Sequence, residues 1–257
     1  MHANMLVCFA LKEEAVPFRK IAAGKSGISV LLTGIGRKNA EKSVRDFLAS
    51  NSGGASVLAS RTREPTGSQK PFVIGLAPPD LVLTCGFAGG LNPELQSGDV
   101  VFEIPSCSSR GNEAQKQIGD QSEPPHVGCY KKLIATGAKP AKFFCADRIA
   151  TTAVEKKKLR DETGADAVEM ESEAIHAICR EREIPCATVR VISDTADEDL
   201  PLDFNKLAKP DLNLDYGKLL AAVARSPGKI PALLRLQKQT RAAAENLSAV
   251  LAKVIEK

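Results

Sequence analysis

The chain has no tryptophan and only two tyrosines, Tyr130 and Tyr216, so it is poorly supplied with rings to stack single-stranded nucleic acid. A net charge of +4 is too small to argue for a nucleic-acid partner by itself. Histidine is equally scarce. His2, His126 and His176 stand far apart and make no metal-ligand spacing. Seven cysteines are scattered with no C-x-x-C pair, several of them inside apolar runs where a thiol acts as a small hydrophobe. That usage fits a reducing compartment, and the expected location is the cytoplasm. No apolar stretch approaches the roughly 20 residues that span a bilayer. The first apolar run, "MLVCFAL", meets charge at once and has no basic region before it, unlike a signal peptide.

What is present is an alternation of strand and helix patterns. Apolar runs over 5–11, 27–36, 79–91, 98–106, 141–150, 165–170 and 185–194 read as strands. Between them "KEEAVPFRKIA", "RKNAEKSVRDFLAS", "TTAVEKKKLRDETG" and "ESEAIHAICRER" carry helical spacing, with Thr151 or Thr152 as a cap for the third. Residues 51–69 and 110–125 read as polar surface loops, and no element is assigned to 126–140. From "LDYGKLLAAVARS" to the end the chain reads as helical, on a basic background. The expectation is an α/β fold: a mixed, largely parallel sheet flanked by helices in three layers. With no repeat or linker to divide it, residues 1–257 are expected to form one domain, with 211–257 as its helical extension. In such sheets ligands bind at the strand ends, and the acidic and Gly-rich features fall there.

Taken singly these features are open to plain readings. Glu13 and Glu14 suit the first turn of any helix, where acids favour the dipole, and so does Glu171. "GIG" at 34–36 and "GFAGG" at 86–90 are turns after strands whose N–H groups could meet an anion. Neither matches a full dinucleotide or P-loop pattern. "VRVISDTAD" is harder to dismiss, because an apolar strand ends in Ser193 and Asp194. Helix capping is the competing reading there.

Together, "ALKEEAV", "TGIGRKNA", "CGFAGGL", "AVEMESEAI" and "VRVISDTAD" resemble, in order and over 5 to about 200, the nucleoside phosphorylase/nucleosidase family. The nearest pattern is that of the methylthioadenosine/adenosylhomocysteine nucleosidases. "ADRIATTAVEKKKL" and "LDYGKLLAAVARSPGKIPALLRL" further resemble the hopanoid-associated branch, linked to removing adenine from adenosylhopane. The resemblance implies cleavage of the N-glycosidic bond of a purine nucleoside, with adenine as the base. It implies Asp194 as the acid that protonates purine N7, oriented by Ser193, and Glu14 as the base that polarises water. Glu171 would bind ribose hydroxyls and Met170 would pack on the sugar. Ile149 would line the base where an aromatic often stacks, and Ala150 would meet the base edge through its backbone. The "GFAGG" end, with Phe87 and Gly89, would face the sugar. An apolar strand end should favour the neutral form of Asp194. No cofactor or metal is implied, beyond phosphate as co-substrate if the reaction is phosphorolytic, and a homodimer is expected.

Two departures bear on the nucleophile. Phe87 stands where the family usually carries a nucleophile-binding Ser, and Thr84 where phosphate-using relatives place an Arg. Arg37 and Arg148, with the Gly36 turn, are candidate replacement anion donors. Hydrolysis is therefore favoured over phosphorolysis, and Phe87 suits an apolar 5′ substituent. A non-catalytic nucleoside binder on the same fold is the alternative outside enzymes. The C-terminus reads as a packed helix pair, with contact to an anionic membrane surface as the alternative.

Overall fold

The computed structural model describes residues 4–51, 78–103, 125–207 and 216–255. The expected loop over 51–69, except Asn51, and the one over 110–125, except Pro125, lie outside those residues. In chain order the elements are β1 Met5–Phe9, α1 Lys12–Ala22, β2 Ile28–Leu32, α2 Arg37–Asn51, β3 Leu81–Gly90 and β4 Val100–Phe102. Next come α3 Pro125–Ala135, β5 Lys139–Pro140, β6 Phe143–Cys145, α4 Ala153–Thr163, β7 Ala167–Glu169, α5 Ser172–Glu181 and β8 Cys186–Asp194. The short α6 Phe204–Leu207, then α7 Tyr216–Arg225 and α8 Ile230–Ile255, complete them.

The sheet runs β2-β1-β3-β8-β4-β5, with β7 joined to the far end of β3 and β6 to β7. β1, β2, β3 and β8 are mutually parallel where they pair, whereas β4 meets β8, and β7 meets β3, in antiparallel fashion. The long buried runs of β1, β3 and β8 follow from this placement, since a parallel strand covered on both faces has no polar side. Alternate residues point to opposite layers. Val7, Phe9, Leu83, Cys85, Val189 and Val191 pack against Phe18 of α1 and against Ala243, Leu247 and Leu251 of α8. Leu6, Cys8 and Val82 pack instead against Ala40, Val44 and Leu48 of α2 and Ile175 and Ile178 of α5. Each fully buried leucine contributes about 1.5–3 kcal/mol.

Several boundaries differ from expectation, each for a local reason. β2 stops at Leu32 because Gly34 and Gly36 take φ of +79° and +84° and turn the chain out of the sheet. β6 stops at Cys145 because residues 146–150 leave as a loop. α3 and β5 occupy 125–140, where Pro125, Gly128, Gly137 and Pro140 hide the pattern. The expected C-terminal helix pair is divided at Pro227–Lys229, which form a 3-10 turn between α7 and α8. Of the two candidate caps for α4, Thr152 accepts from the Glu155 N–H at 3.2 Å. Among the described residues no helix is long and apolar enough to cross a membrane.

Candidate active site

The carboxyl ends of β1, β3 and β8 lie side by side, and the site is built there from the strand ends and the turns that leave them. After β1 the chain turns into α1. Glu13 stays exposed while Glu14, at the third helical position, turns inward and is 3% exposed. Its Oε2 accepts from the Leu11 N–H at 2.8 Å and its Oε1 from the Phe87 N–H at 2.9 Å, which ties α1 to β3. Burial pushes the Glu14 carboxyl up to about 7, against the two backbone N–H groups and Arg190, which favour the anion.

Arg190 is the centre of the site. It stands in the middle of β8 with 1% exposure, and a cation so placed must be paired. Its Nη2 reaches Glu169 Oε2 at 2.5 Å, Glu171 Oε2 at 3.3 Å and Thr84 Oγ1 at 3.1 Å, while Nη1 donates to the Cys85 carbonyl at 3.3 Å. Glu14 lies close as well. A Cβ on Gly86 would stand 2.8 Å from both Arg190 Nη1 and Glu14 Oε1, and Gly86 holds φ of +146°, so only glycine serves there. Glu169 also accepts from the Glu171 and Ser172 N–H groups and the Ser172 hydroxyl, at 3.0, 2.8 and 2.6 Å. Burial would raise the Glu169 carboxyl, but Arg190 and these donors outweigh it and hold it below the usual range. Glu171 goes the other way: burial raises it, and neighbouring Glu169 adds to the effect against Arg190. Three carboxyl groups thus stand near one guanidinium, two of them paired with it, and the cluster is short of positive charge.

Asp194 closes β8. The β3–β8 register slips between Ala88 and Gly89, so that Gly89 faces Asp194 and Ser193 becomes the extra residue of a bulge. A Cβ on Gly89 would lie 3.4 Å from Asp194 Oδ2. Ser193 donates its hydroxyl to Oδ1 at 2.5 Å. Oδ2 meets Lys156 Nζ of α4 at 2.6 Å. The apolar surroundings expected for Asp194 are therefore replaced on that side by a buried ammonium. Phe87, which touches Glu14, and Gly89, which faces Asp194, are two residues apart along β3. At about 3.3 Å per residue this sets the two carboxyl groups' anchor points about 7 Å apart.

Met170 and Ala150 are buried, and Phe87 is half-buried against the core. The backbone of Ile149 is gripped at both ends by the Asn205 side chain, which accepts from its N–H and donates to its carbonyl, each at 2.9 Å. The candidate anion donors are engaged by the protein itself. The Gly36 N–H donates to Glu171 Oε1 at 2.8 Å. Arg37 is held by Glu173 at 3.0 Å, Asp147 at 3.5 Å and the Cys145 carbonyl, and exposed Arg148 pairs with Glu155. Thr84, at the position of interest for phosphate, is committed to Arg190. Arg190, Lys156 and Asn205 were not singled out from sequence. The signal for Arg190 was a lone charge inside "TVRVIS", and for Lys156 its place three residues before Leu159 on the inward stripe of α4.

Residues 11–225 match the family model described as the phosphorylase superfamily, and the chain belongs to that family. It is 26% identical over 190 residues to the 5′-methylthioadenosine/S-adenosylhomocysteine nucleosidase of Shewanella sediminis, covering 63% of this chain and 78% of the relative. With the aminodeoxyfutalosine nucleosidase of Campylobacter jejuni it shares 28% identity over 147 residues, 49% of this chain and 60% of the relative's length. The fold superposes on futalosine hydrolase of Helicobacter pylori with a TM-score of 0.62 at 15% identity, covering 99% of this chain and 98% of the other. The Neisseria meningitidis 5′-methylthioadenosine/S-adenosylhomocysteine nucleosidase gives 0.59 at 17%, covering 98% and 97%.

Proposed function

We propose that this chain hydrolyses the N-glycosidic bond of a purine nucleoside whose base is adenine and whose 5′ substituent is apolar, adenosylhopane being the candidate. The observation that carries the reading is the pairing of two unlike acidic groups, one bonded to the Phe87 N–H and the other facing Gly89, two residues apart along β3. Asp194 is flanked by a hydroxyl and an ammonium, and Glu14 sits in a cluster short of positive charge. Asp194 is the group to pass a proton to N7 as the bond breaks, a contribution typically worth 10²–10⁴-fold. Glu14, with its carboxyl raised to about 7, is poised to take a proton from water near neutral pH. Glu171 and the rest of the Arg190 cluster place negative charge where a ribosyl cation would develop. Phe87 supplies an apolar wall rather than a hydroxyl beside the nucleophile. The chemistry draws on no cofactor.

Water is favoured over phosphate because Arg37, Arg148 and Thr84 are already bonded within the protein, and because three carboxylates would repel a phosphate dianion. The nucleosidase names of the curated relatives point the same way. The test is product analysis with adenosine and a series of 5′-alkylthioadenosines, with and without inorganic phosphate. The expected products are adenine and the free sugar at rates unmoved by phosphate, with longer apolar 5′ groups cleaved faster. Sugar 1-phosphate as the main product would replace hydrolysis by phosphorolysis. Equal rates for short and long 5′ groups would remove the apolar preference.

A further inference from the structure

Lys156 is an unusual lysine. It lies in the second turn of α4 between residues that face water, and Lys157 and Lys158 beside it pair with Asp161 and Glu162 at the surface. Lys156 instead turns inward and its side chain is 0% exposed. Its three N–H donors are all used: Asp194 Oδ2 at 2.6 Å, the Thr195 carbonyl at 2.7 Å and the Glu198 carbonyl at 2.7 Å. Taking an ammonium out of water costs several kcal/mol, and a leucine would fill the same place without that cost. Asp194 is equally committed, with Ser193 on one oxygen and Lys156 on the other. Two fixed donors leave the carboxyl one orientation, with Oδ2 toward Gly89, where a Cβ would lie 3.4 Å from it.

We propose that Lys156 is the positioning residue of the leaving-group acid: it fixes the Asp194 carboxyl and supplies the proton that Asp194 passes to the purine. The inference rests on the purine nucleosidase reading of the same site. In the ion pair the proton resides on Nζ. As the C1′–N9 bond breaks, its electron pair moves into the purine. A proton passes from Nζ to the carboxyl and from the carboxyl to N7. Lys156 ends as the neutral amine, Asp194 as the carboxylate and the purine as a neutral molecule. Glu14 takes one proton from the attacking water and releases it to solvent when the products leave, and solvent returns one to Lys156, so the cycle closes without a net change. The other two Lys156 bonds hold the turn after β8, and with it the end of the strand that carries Asp194.

The test compares two leaving groups on one sugar. One substrate is the 5′-alkylthioadenosine that the wild-type protein cleaves fastest. The other is the 4-nitrophenyl riboside with the same 5′ group, whose phenolate departs without a proton. Lys156→Met should lower kcat/KM on the purine substrate about 100-fold or more, the lower end of general acid catalysis, and on the nitrophenyl substrate less than about 5-fold. Asp194→Asn should show the same selective loss. Should Lys156→Met not fold, Lys156→Gln, which keeps an N–H donor and removes the charge, makes the same comparison. Equal losses on both substrates would reduce Lys156 to a structural brace and overturn the inference, as would full activity on the purine. Wild-type protein that cleaves neither compound overturns the functional reading, and this inference with it.

Discussion

Removing the Arg190 guanidinium should unfold the protein more readily at neutral pH than in acid. In Arg190→Met the strand keeps a side chain of similar bulk, but Glu169 and Glu171 lose their cation from 2.5 and 3.3 Å, and Glu14 loses its neighbour. Stranding a buried charge in this way costs about 3–5 kcal/mol, or about 10 °C in Tm for a chain of this size. The pH dependence comes from Glu169. In the wild type burial would raise it, but Arg190 together with the Ser172 hydroxyl and two backbone N–H groups outweighs burial and holds it low, so its contribution is present above the ordinary carboxylate range and lost as pH falls. In the variant only the Ser172 hydroxyl and the two backbone N–H groups still oppose burial, so the folded-state carboxyl rises from its wild-type value. Relative to the wild type, stability then falls as pH climbs through the ordinary carboxylate range, about 4.3 for a glutamate. Urea unfolding of both proteins at pH near ~8 and near ~4.5 reads this directly, with the deficit large at the first and much smaller at the second. A deficit under ~1 kcal/mol, or one equal at both pH values, would refute the account of Arg190 as the charge that holds the site together.

Glu14 gives a second pH signature: kcat/KM should rise as pH passes through about 7, where the buried carboxyl loses its proton, and Glu14→Gln should abolish that limb. The same group costs stability as pH rises from its ordinary 4.5 toward about 7, because the folded state holds the proton longer. Glu14→Gln should therefore be more stable than wild type above neutrality by about 2 kcal/mol, after losing one backbone hydrogen bond, and not below pH ~4.5; denaturant titration checks it. Asn205→Leu removes both bonds to the Ile149 backbone and should raise KM about 10-fold with little change in kcat, measured in steady-state assays.

Much of the framework was legible because buried parallel strands leave long apolar runs. "MLVCF", "LVLTC" and "ATVRVIS" stand out against amphipathic helices, and Asp194 and Ser193 are conspicuous as polar residues closing such a run. Glu14 and Glu171 were less so, since an acid in a first helical turn looks the same whether it faces water or the core. What separates Glu14 from exposed Glu13 is the Phe87 N–H on a strand 73 residues away. The same limit hid Lys156, which sits in "KKK" and is distinguished only by the direction its helix presents to β8. Arg190 could have been found by asking what a charge inside an apolar strand must pair with. Arg37 and Arg148 looked available as free cations because their partners, Glu173 and Asp147 for one and Glu155 for the other, meet them only once the chain has folded. The helix over 125–135 was obscured by glycine and proline, which lower local propensity without preventing a helix that packs on α8.

The central claim is that this site cleaves purine nucleosides through Asp194. The direct measurement is release of free adenine from 5′-alkylthioadenosines by purified wild-type protein and by Asp194→Asn, with matched thermal unfolding to show that both are folded. The account predicts turnover by the wild type and a loss of at least about 100-fold in the variant. Wild-type turnover that survives intact in Asp194→Asn would contradict it.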